Sequence, residues 1–265
     1  MTLCLIVVAT DGFIAIADGR RGGLTSLPGL YEWMSDDETK IVAVPGLPIV
    51  AITAGRASFN KRPNAEILKE VLGELQVPTE DRVLAVAQAC RSAFARLDAA
   101  HPDPNQVGTT TLVAGYELNE AFEAFRVNVP PKVMNQGTSE GITFDLNPSE
   151  LKSELPVLVI PAESEAGMDV VTAFDMYFDD IDSDSYGSGG LAAQFRFAGQ
   201  DLITMRPGLL RLLVRWLEEN PEIAAADGVG GRWLAAEVRP GEAAEIGPPL
   251  PVGPIGGPSG AGGDP

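Results

Sequence analysis

The 265-residue chain has little histidine and little cysteine, and both shortages narrow the chemistry open to it. His101 is its one histidine, and Cys4 and Cys90 are its two cysteines. One imidazole and two separated thiols do not supply a usual zinc site, so we expect no metal and no other cofactor. The same shortage argues against a Ser-His-Asp hydrolase. Two cysteines form no disulfide framework and are typical of a reducing compartment.

Positive charge and long apolar runs are also scarce. The chain has 19 Lys and Arg against 37 Asp and Glu, a formal net charge of −18. Nucleic acids and anionic membrane surfaces both recruit clusters of basic residues, so we expect neither as a partner. No apolar run approaches the roughly 18 residues of a membrane span, and no basic segment precedes the first run as in a signal peptide. We therefore expect a cytoplasmic protein.

Two hairpins are predicted near the amino terminus. Apolar residues 3–9 and 13–17 flank an Asp-Gly turn, which is typical of an antiparallel pair that brings Asp18 close to the chain start. Residues 41–44 and 47–55 flank a Pro-Gly turn and form the second hairpin. We expect Lys40 to begin a strand of the same sheet, where the Asp18 carboxylate would keep it charged.

The remaining pattern predicts helices outside two sheets. Helical spacing covers residues 63–75 and then a second helix that runs to about Ala100, with Thr79 as its N-cap. Strands are expected at 109–116, 121–129 and 233–238. A second helical layer is expected from the Ala-rich stretch after glycines 187–190 together with residues 208–217. The whole is an α+β fold of two stacked antiparallel sheets flanked by helices.

We expect one domain over residues 1–238, with an insertion around 132–186 that includes a short strand-like stretch at 157–160. The acidic run 179–184 lacks the glycine and glutamate that a calcium loop requires, which favours a solvated loop. Residues 239–265 are rich in Pro and Gly and are expected to form a disordered tail.

Thr2 combines two reactive groups if Met1 is removed, which a small second residue permits. Its hydroxyl would then stand beside a free α-amine with an ordinary pKa of about 7.7–8.0, which can act as a general base. Because the chain has so little histidine, this amine is one of few candidate bases.

Five short motifs in order carry a family resemblance. They are Thr2, residues 18–20 (Asp-Gly-Arg), residues 40–41 (Lys-Ile) with 51–55 (Ala-Ile-Thr-Ala-Gly), residues 187–189 (Gly-Ser-Gly), and residues 227–231 (Asp-Gly-Val-Gly-Gly) before a strand. Across residues 2–238 this order resembles proteasome β-type subunits and related bacterial proteasome-like peptidases of the amino-terminal-nucleophile hydrolase class. The resemblance implies a four-layer αββα sandwich and a homo-oligomeric ring or closed shell. It leaves an unfoldase partner open.

The resemblance also implies roles for six residues. Thr2 would be the nucleophile that cleaves a peptide or amide substrate, Lys40 would lower the proton affinity of its hydroxyl, and Asp18 would orient Lys40. The backbone N–H of Gly55 would stabilise the oxyanion. Ser188 and Asp227 would support the terminal amine.

Each assignment has an alternative. Thr2 is an ordinary terminal residue if Met1 is retained, Asp18 serves as a turn residue, and Lys40 serves as a charge that protects a strand start. Residues 187–190 also suit a linker. The family usually has a serine where this chain has Gly230, and the segments before Lys40 and after Gly55 are longer than usual. A non-catalytic proteasome-like scaffold or binding subunit, or an unrelated α/β sandwich, therefore stays open.

Overall fold

The computed structural model describes residues 3–24, 31–102, 108–129, 159–161, 191–196, 200–219 and 230–250, and within them the fold is mixed α+β. The strands are β1 Leu3–Val8, β2 Phe13–Ala17, β3 Arg21–Leu24, β4 Tyr31–Ser35, β5 Ile41–Ala43, β6 Ile49–Gly55, β7 Ser58–Phe59, β8 Arg62–Pro63, β9 Thr109–Tyr116, β10 Phe122–Val129, β11 Val159–Pro161, β12 Leu191–Arg196, β13 Leu234–Val238 and β14 Glu245–Ile246. The helices are α1 Asn64–Glu74, α2 Arg82–Ala100 and α3 Leu202–Glu219. The predicted α+β class is confirmed.

The first sheet has six strands in the order β11-β12-β1-β2-β13-β14. The predicted hairpin is confirmed, since β1 and β2 pair antiparallel with Cys4 opposite Ala17 and Val8 opposite Phe13. The predicted strand at 233–238 is β13, which pairs antiparallel with the other side of β2. This position between two partners explains why β2 is buried along its whole length.

The expectation of a helix in the Ala-rich stretch after the glycines was wrong for residues 191–196. These residues form β12, which pairs parallel with β1 and with β11. The six-stranded sheet is therefore mixed rather than purely antiparallel as expected. The edge of β1 that does not face β2 carries backbone N–H and C=O groups that need hydrogen-bond partners, and a neighbouring strand supplies them. This tertiary pairing overrides the helix propensity of alanine.

The second sheet has four antiparallel strands in the order β10-β9-β6-β5. The predicted hairpin of residues 41–55 is confirmed, with Ile41 opposite Ile52 and Ala43 opposite Val50. The strands predicted at 109–116 and 121–129 are β9 and β10. Between the two sheets in sequence, β3 and β4 form a separate two-stranded sheet.

A hydrophobic core lies between the two sheets. Alternate residues of β2, among them Phe13 and Ala15, share this cluster with Val50 and Ile52 of β6. Ile14 of β2 is fully buried but projects from the opposite face of the six-stranded sheet, because side chains alternate along a strand. Helix α3 contacts β2. It starts at Leu202, whereas the prediction placed its start at residue 208.

A second core lies between the four-stranded sheet and helices α1 and α2. It includes Ala51 and Val113 from the sheet, Leu68 from α1, and Cys90 and Phe94 from α2. Burial on both faces agrees with the burial of every residue of β9 and of every residue of β6 before Gly55, threonines included. Both helices occupy their predicted positions.

The predicted N-cap of α2 was wrong. Asp81, not Thr79, precedes the helix, and its side chain makes no capping hydrogen bond. Instead, the Glu117 carboxylate just after β9 accepts the backbone N–H groups of Arg82 (2.9 Å) and Val83 (2.8 Å). A distant acidic residue therefore satisfies the free donors at this helix start.

The expectation of a disordered tail from residue 239 was wrong for its first part. Residues 245–246 form β14 on the edge of β13, and Leu250 is buried and donates its N–H to the Trp233 carbonyl at 2.9 Å. Proline and glycine content misled us here, because a few apolar residues among them suffice to dock a segment. Residues 251–265 lie outside the described residues.

Candidate active site

Asp18 lies directly after β2, where the six-stranded sheet ends, and is 1% exposed. Its carboxylate accepts hydrogen bonds from Lys40 Nζ at 2.9 Å, from the Gly230 N–H at 3.1 Å and from the Arg20 N–H at 3.2 Å. A carboxylate only accepts hydrogen bonds when ionised, and all three partners are donors. The environment therefore suits a buried anion that is held in one orientation.

Lys40 lies directly before β5 and is 6% exposed. Our expectation that it shares a sheet with Asp18 was wrong, because β5 belongs to the four-stranded sheet. The intervening β3 and β4 carry the chain from one sheet to the other, which also explains why the stretch before Lys40 is long. The ion pair of Lys40 with Asp18 therefore connects the ends of the two sheets.

Gly55 is the last residue of β6 and has a φ of +80°, a conformation that favours glycine. It shares with Lys40 a small cleft whose water-accessible space is about 10 Å³, enough for about one water molecule; residues 38–40, residues 53–57 and Asn64 line this cleft. The structure thus brings together three of the six predicted site residues, Asp18, Lys40 and Gly55.

The other three predicted residues, Thr2, Ser188 and Asp227, lie outside the described residues. Strand β1 begins at Leu3, the residue that follows Thr2 in the sequence.

Cys4 links the first strand electrostatically to the ion pair. Burial raises the pKa of the Cys4 thiol far above its usual range, while the Lys40 ammonium opposes this increase in the pKa and the Asp18 carboxylate adds to it. Both charges therefore lie close enough to β1 to act on a residue two positions from Thr2. The buried, protonated thiol is itself a poor nucleophile.

Gly230 lies against the buried Arg20 side chain in a backbone conformation that favours glycine. It has a φ of +143°, and a Cβ there would lie 2.9 Å from the Arg20 guanidinium carbon. Its N–H donates to Asp18, and its carbonyl accepts the Gly19 N–H at 3.0 Å. Glycine at this position is therefore part of how the Asp18 turn is held.

Arg20 is a residue to which sequence reasoning gave no role. It is 1% exposed, packs against Gly230, and donates from Nε to Asp36 Oδ1 at 2.7 Å. The available signal was a basic residue two positions after the carboxylate at the end of an apolar strand. Asn64, at the start of α1, was also missed, because nothing in a helix start indicates which cleft it lines.

His101 follows α2, where its carbonyl accepts Arg56 Nη1 at 2.6 Å. Within the described ranges there is no group of three His, Cys, Asp or Glu side chains arranged to hold a metal ion. No helix in the same ranges is long and apolar enough to cross a membrane.

Comparisons with known proteins do not identify a family for this chain. The sequence matches no protein-family model, and a search of curated proteins finds no matching relative.

Proposed function

We propose that this protein is a threonine-type peptidase or amidohydrolase whose nucleophile is Thr2, exposed by removal of Met1. One observation carries the proposal: a buried lysine–aspartate pair stands at the ends of two sheets and acts electrostatically on the strand that begins next to Thr2. A charged pair withdrawn from solvent is costly to maintain, and such pairs concentrate at functional sites.

The proposal requires Thr2 to project from the same face of the strand as Cys4, since residues two apart share a face. Its hydroxyl oxygen would attack the carbonyl carbon of a peptide or amide, and its α-amine would take the hydroxyl proton. Lys40 would stabilise the developing alkoxide, and Asp18 would hold Lys40 in place. The Gly55 N–H would donate to the oxyanion.

The remaining steps complete an ordinary acyl transfer. The amine would return the proton to the leaving nitrogen, which leaves Thr2 esterified; water would then hydrolyse this ester and restore the hydroxyl. Ser188 and Asp227 would hydrogen-bond the amine. No cofactor is required for any of these steps.

A four-layer αββα sandwich is part of the proposal. It is supported by the core between the sheets, the core under α1 and α2, and the contact of α3 with β2. A homo-oligomeric ring or shell is proposed with it on the family resemblance alone, and a cytoplasmic location on the composition of the sequence.

The test is hydrolysis of a panel of fluorogenic peptide amides by the Thr2→Ala chain. We expect activity to fall by at least about 10³-fold, as for other nucleophile deletions, with the fold unchanged by circular dichroism. Thr10→Ala is the matched control, because Thr10 is an exposed threonine near the end of β1. Thr2→Ala activity equal to that of the control would exclude the mechanism.

Gly230 favours a second candidate, a non-catalytic scaffold or binding subunit. A side chain at this position, where the family usually supplies a hydroxyl, would displace the Arg20 guanidinium and strain the backbone, which has a φ of +143°. Intact-mass measurement separates the two candidates, because a chain that retains Met1 has no free threonine amine.

A further inference from the structure

The loop that leads into Lys40 lies against the turn that carries Asp18. Residues 36–39, here called the Lys40 loop, run from the end of β4 to Lys40. The Glu38 N–H donates to the Gly19 carbonyl at 2.9 Å, which holds the loop beside this turn. A lysine side chain has many rotamers, so its ammonium stays at one point only if the backbone that carries it is itself fixed. The position of the Lys40 loop therefore affects how well Lys40 meets Asp18.

The segment before β13 supports both members of this ion pair. The Gly230 N–H donates to the Asp18 carboxylate at 3.1 Å. Two residues later, the Arg232 N–H donates to the Asp36 carbonyl, at the start of the Lys40 loop, at 2.7 Å. One short segment thus contacts Asp18 directly and reaches Lys40 through its loop.

The Arg232 side chain holds the part of the loop nearest to Lys40. Its Nη2 donates to the Asp37 carbonyl at 3.0 Å and to Thr39 Oγ1 at 3.3 Å. This nitrogen carries two N–H groups, so it serves both acceptors at once. Hydrogen bonds from a charged donor are stronger than those between neutral groups. Arg232 therefore links residues 37 and 39, and Thr39 is bonded directly to Lys40.

Two other arginines contact the same loop in a different way. Arg20 pairs with the Asp36 carboxylate at 2.7 Å, and Arg21 pairs with the Glu38 carboxylate at 3.5 Å. These contacts compensate the negative charge of the loop. Arg232 instead donates to a main-chain carbonyl and a hydroxyl, which fixes the shape of the loop rather than its charge.

We infer that Arg232 is a positioning residue, whose guanidinium holds the Lys40 loop so that Lys40 Nζ stays on Asp18. This inference rests on the proposed function, in which Lys40 stabilises the alkoxide that develops on Thr2. Arg232 acts only through the loop and touches neither the substrate nor the reacting atoms.

Acetylation of lysines by acetic anhydride, mapped by mass spectrometry of peptides, tests the inference without any turnover. Lys40 is 6% exposed and lies in an ion pair, so the reagent reaches it only when the loop opens. We expect Arg232→Ala to accelerate the acetylation of Lys40 about 10-fold relative to the exposed Lys69, the factor that two lost hydrogen bonds support. Circular dichroism checks that the variant is folded.

Three further variants separate the guanidinium from general effects. Arg239→Ala is the matched control and should leave Lys40 protected, because Arg239 pairs with Asp11 at the other end of β2. Arg232→Lys keeps a charged donor and should restore most of the protection. Thr39→Val removes one acceptor at constant volume and should accelerate acetylation about 3-fold, which decides the question if Arg232→Ala does not fold. An unchanged rate at Lys40 in a folded Arg232→Ala chain, or in Thr39→Val, would overturn the inference.

Kinetics separate this inference from the proposed function. In the Thr2-bearing chain, Arg232→Ala should lower kcat for amide hydrolysis about 10-fold with little change in KM, because Lys40 acts on the transition state. Hydrolysis by the unaltered chain, with kcat and Lys40 acetylation both unchanged in Arg232→Ala, would reject the role of Arg232 alone. Faster Lys40 acetylation in Arg232→Ala, with no amide hydrolysis by the unaltered chain, would reject the peptidase and leave Arg232 as the residue that holds Lys40.

Discussion

The two sheets differ in how their strands are gathered along the chain. The four-stranded sheet uses only residues between Ile41 and Val129, whereas the six-stranded sheet joins Leu3–Val8 to Leu191–Arg196 and ends at Ile246. Pairing between strands that are far apart in the sequence closes long loops and forms slowly. Pairing between strands that are close in the sequence closes only short loops. The Asp18–Lys40 pair takes one residue from each sheet, so the candidate site exists only when both have formed.

The largest effect is expected where the two sheets meet. Lys40→Met removes the ammonium that neutralises the buried Asp18 carboxylate, which should lower the free energy of unfolding by about 3–5 kcal/mol. Urea denaturation measures the change. Arg62→Ala is the control, because its ion pair with Glu70 is exposed and should contribute less than about 1 kcal/mol. Equal losses in the two variants would mean that the junction is not a buried electrostatic contact.

A smaller loss should come from the far edge of the six-stranded sheet. Leu250 is 6% exposed, and Leu250→Ala should cost about 2–4 kcal/mol through a lost buried side chain. Leu118→Ala, at 63% exposure, should change stability by less than about 0.5 kcal/mol. Thermal denaturation of both variants checks whether the tail is a docked part of this sheet. A melting temperature unchanged by Leu250→Ala would show that it is not.

The four-stranded sheet has its own long-range contact, at the start of α2. Glu117→Ala removes the acceptor of two backbone N–H groups and should cost about 1–2 kcal/mol, as loss of a helix cap does. Glu80→Ala removes a nearby exposed acidic residue and should have a smaller effect. Chemical denaturation measures the free energy of unfolding of both variants. An equal decrease in Glu80→Ala and Glu117→Ala would mean that the effect comes from the change in net charge and not from the lost acceptor.

Each of the two hydrophobic cores contains one buried thiol. Each thiol should contribute separately to the dependence of the free energy of unfolding on pH at high pH. Burial raises the pKa of Cys90 from 9.0 to about 12, and raises the pKa of Cys4 further. Above pH 9 the unfolded chain therefore loses protons that the folded chain keeps, so stability falls as pH rises, by about 1.4 kcal/mol per pH unit for each thiol.

Cys4→Ala and Cys90→Ala should each remove the contribution of one thiol to this slope. The measurement is the free energy of unfolding from pH 8 to 10 for both variants and the unaltered chain. A slope unchanged in either variant would show that its thiol is accessible in the folded state.

The local pattern of apolar and turn residues predicted most of the four-stranded sheet and its helices, because hairpins and helices are determined largely by residues close together in the sequence. It failed where a distant partner decides the structure. Residues 191–196 are a strand because β1 needs a neighbour, Glu117 caps α2 from the end of a strand, and residues 245–246 pair with β13.

The candidate site divides in the same way. Turn signals indicated that Asp18 lies near the chain start, and the order of motifs suggested Lys40. That these residues belong to different sheets, that Arg20 fills the space beside Gly230, and that Asn64 lines the cleft depend on packing across the molecule. No spacing within the sequence encodes such contacts.

The most direct measurement is mass spectrometry of the purified chain after incubation with an electrophile that acylates amino-terminal threonine. We predict a chain that begins at Thr2 and carries one adduct on that residue, with labelling strongly reduced in the Lys40→Met variant. A chain that still carries Met1, or one that begins at Thr2 and stays unmodified, would contradict the account.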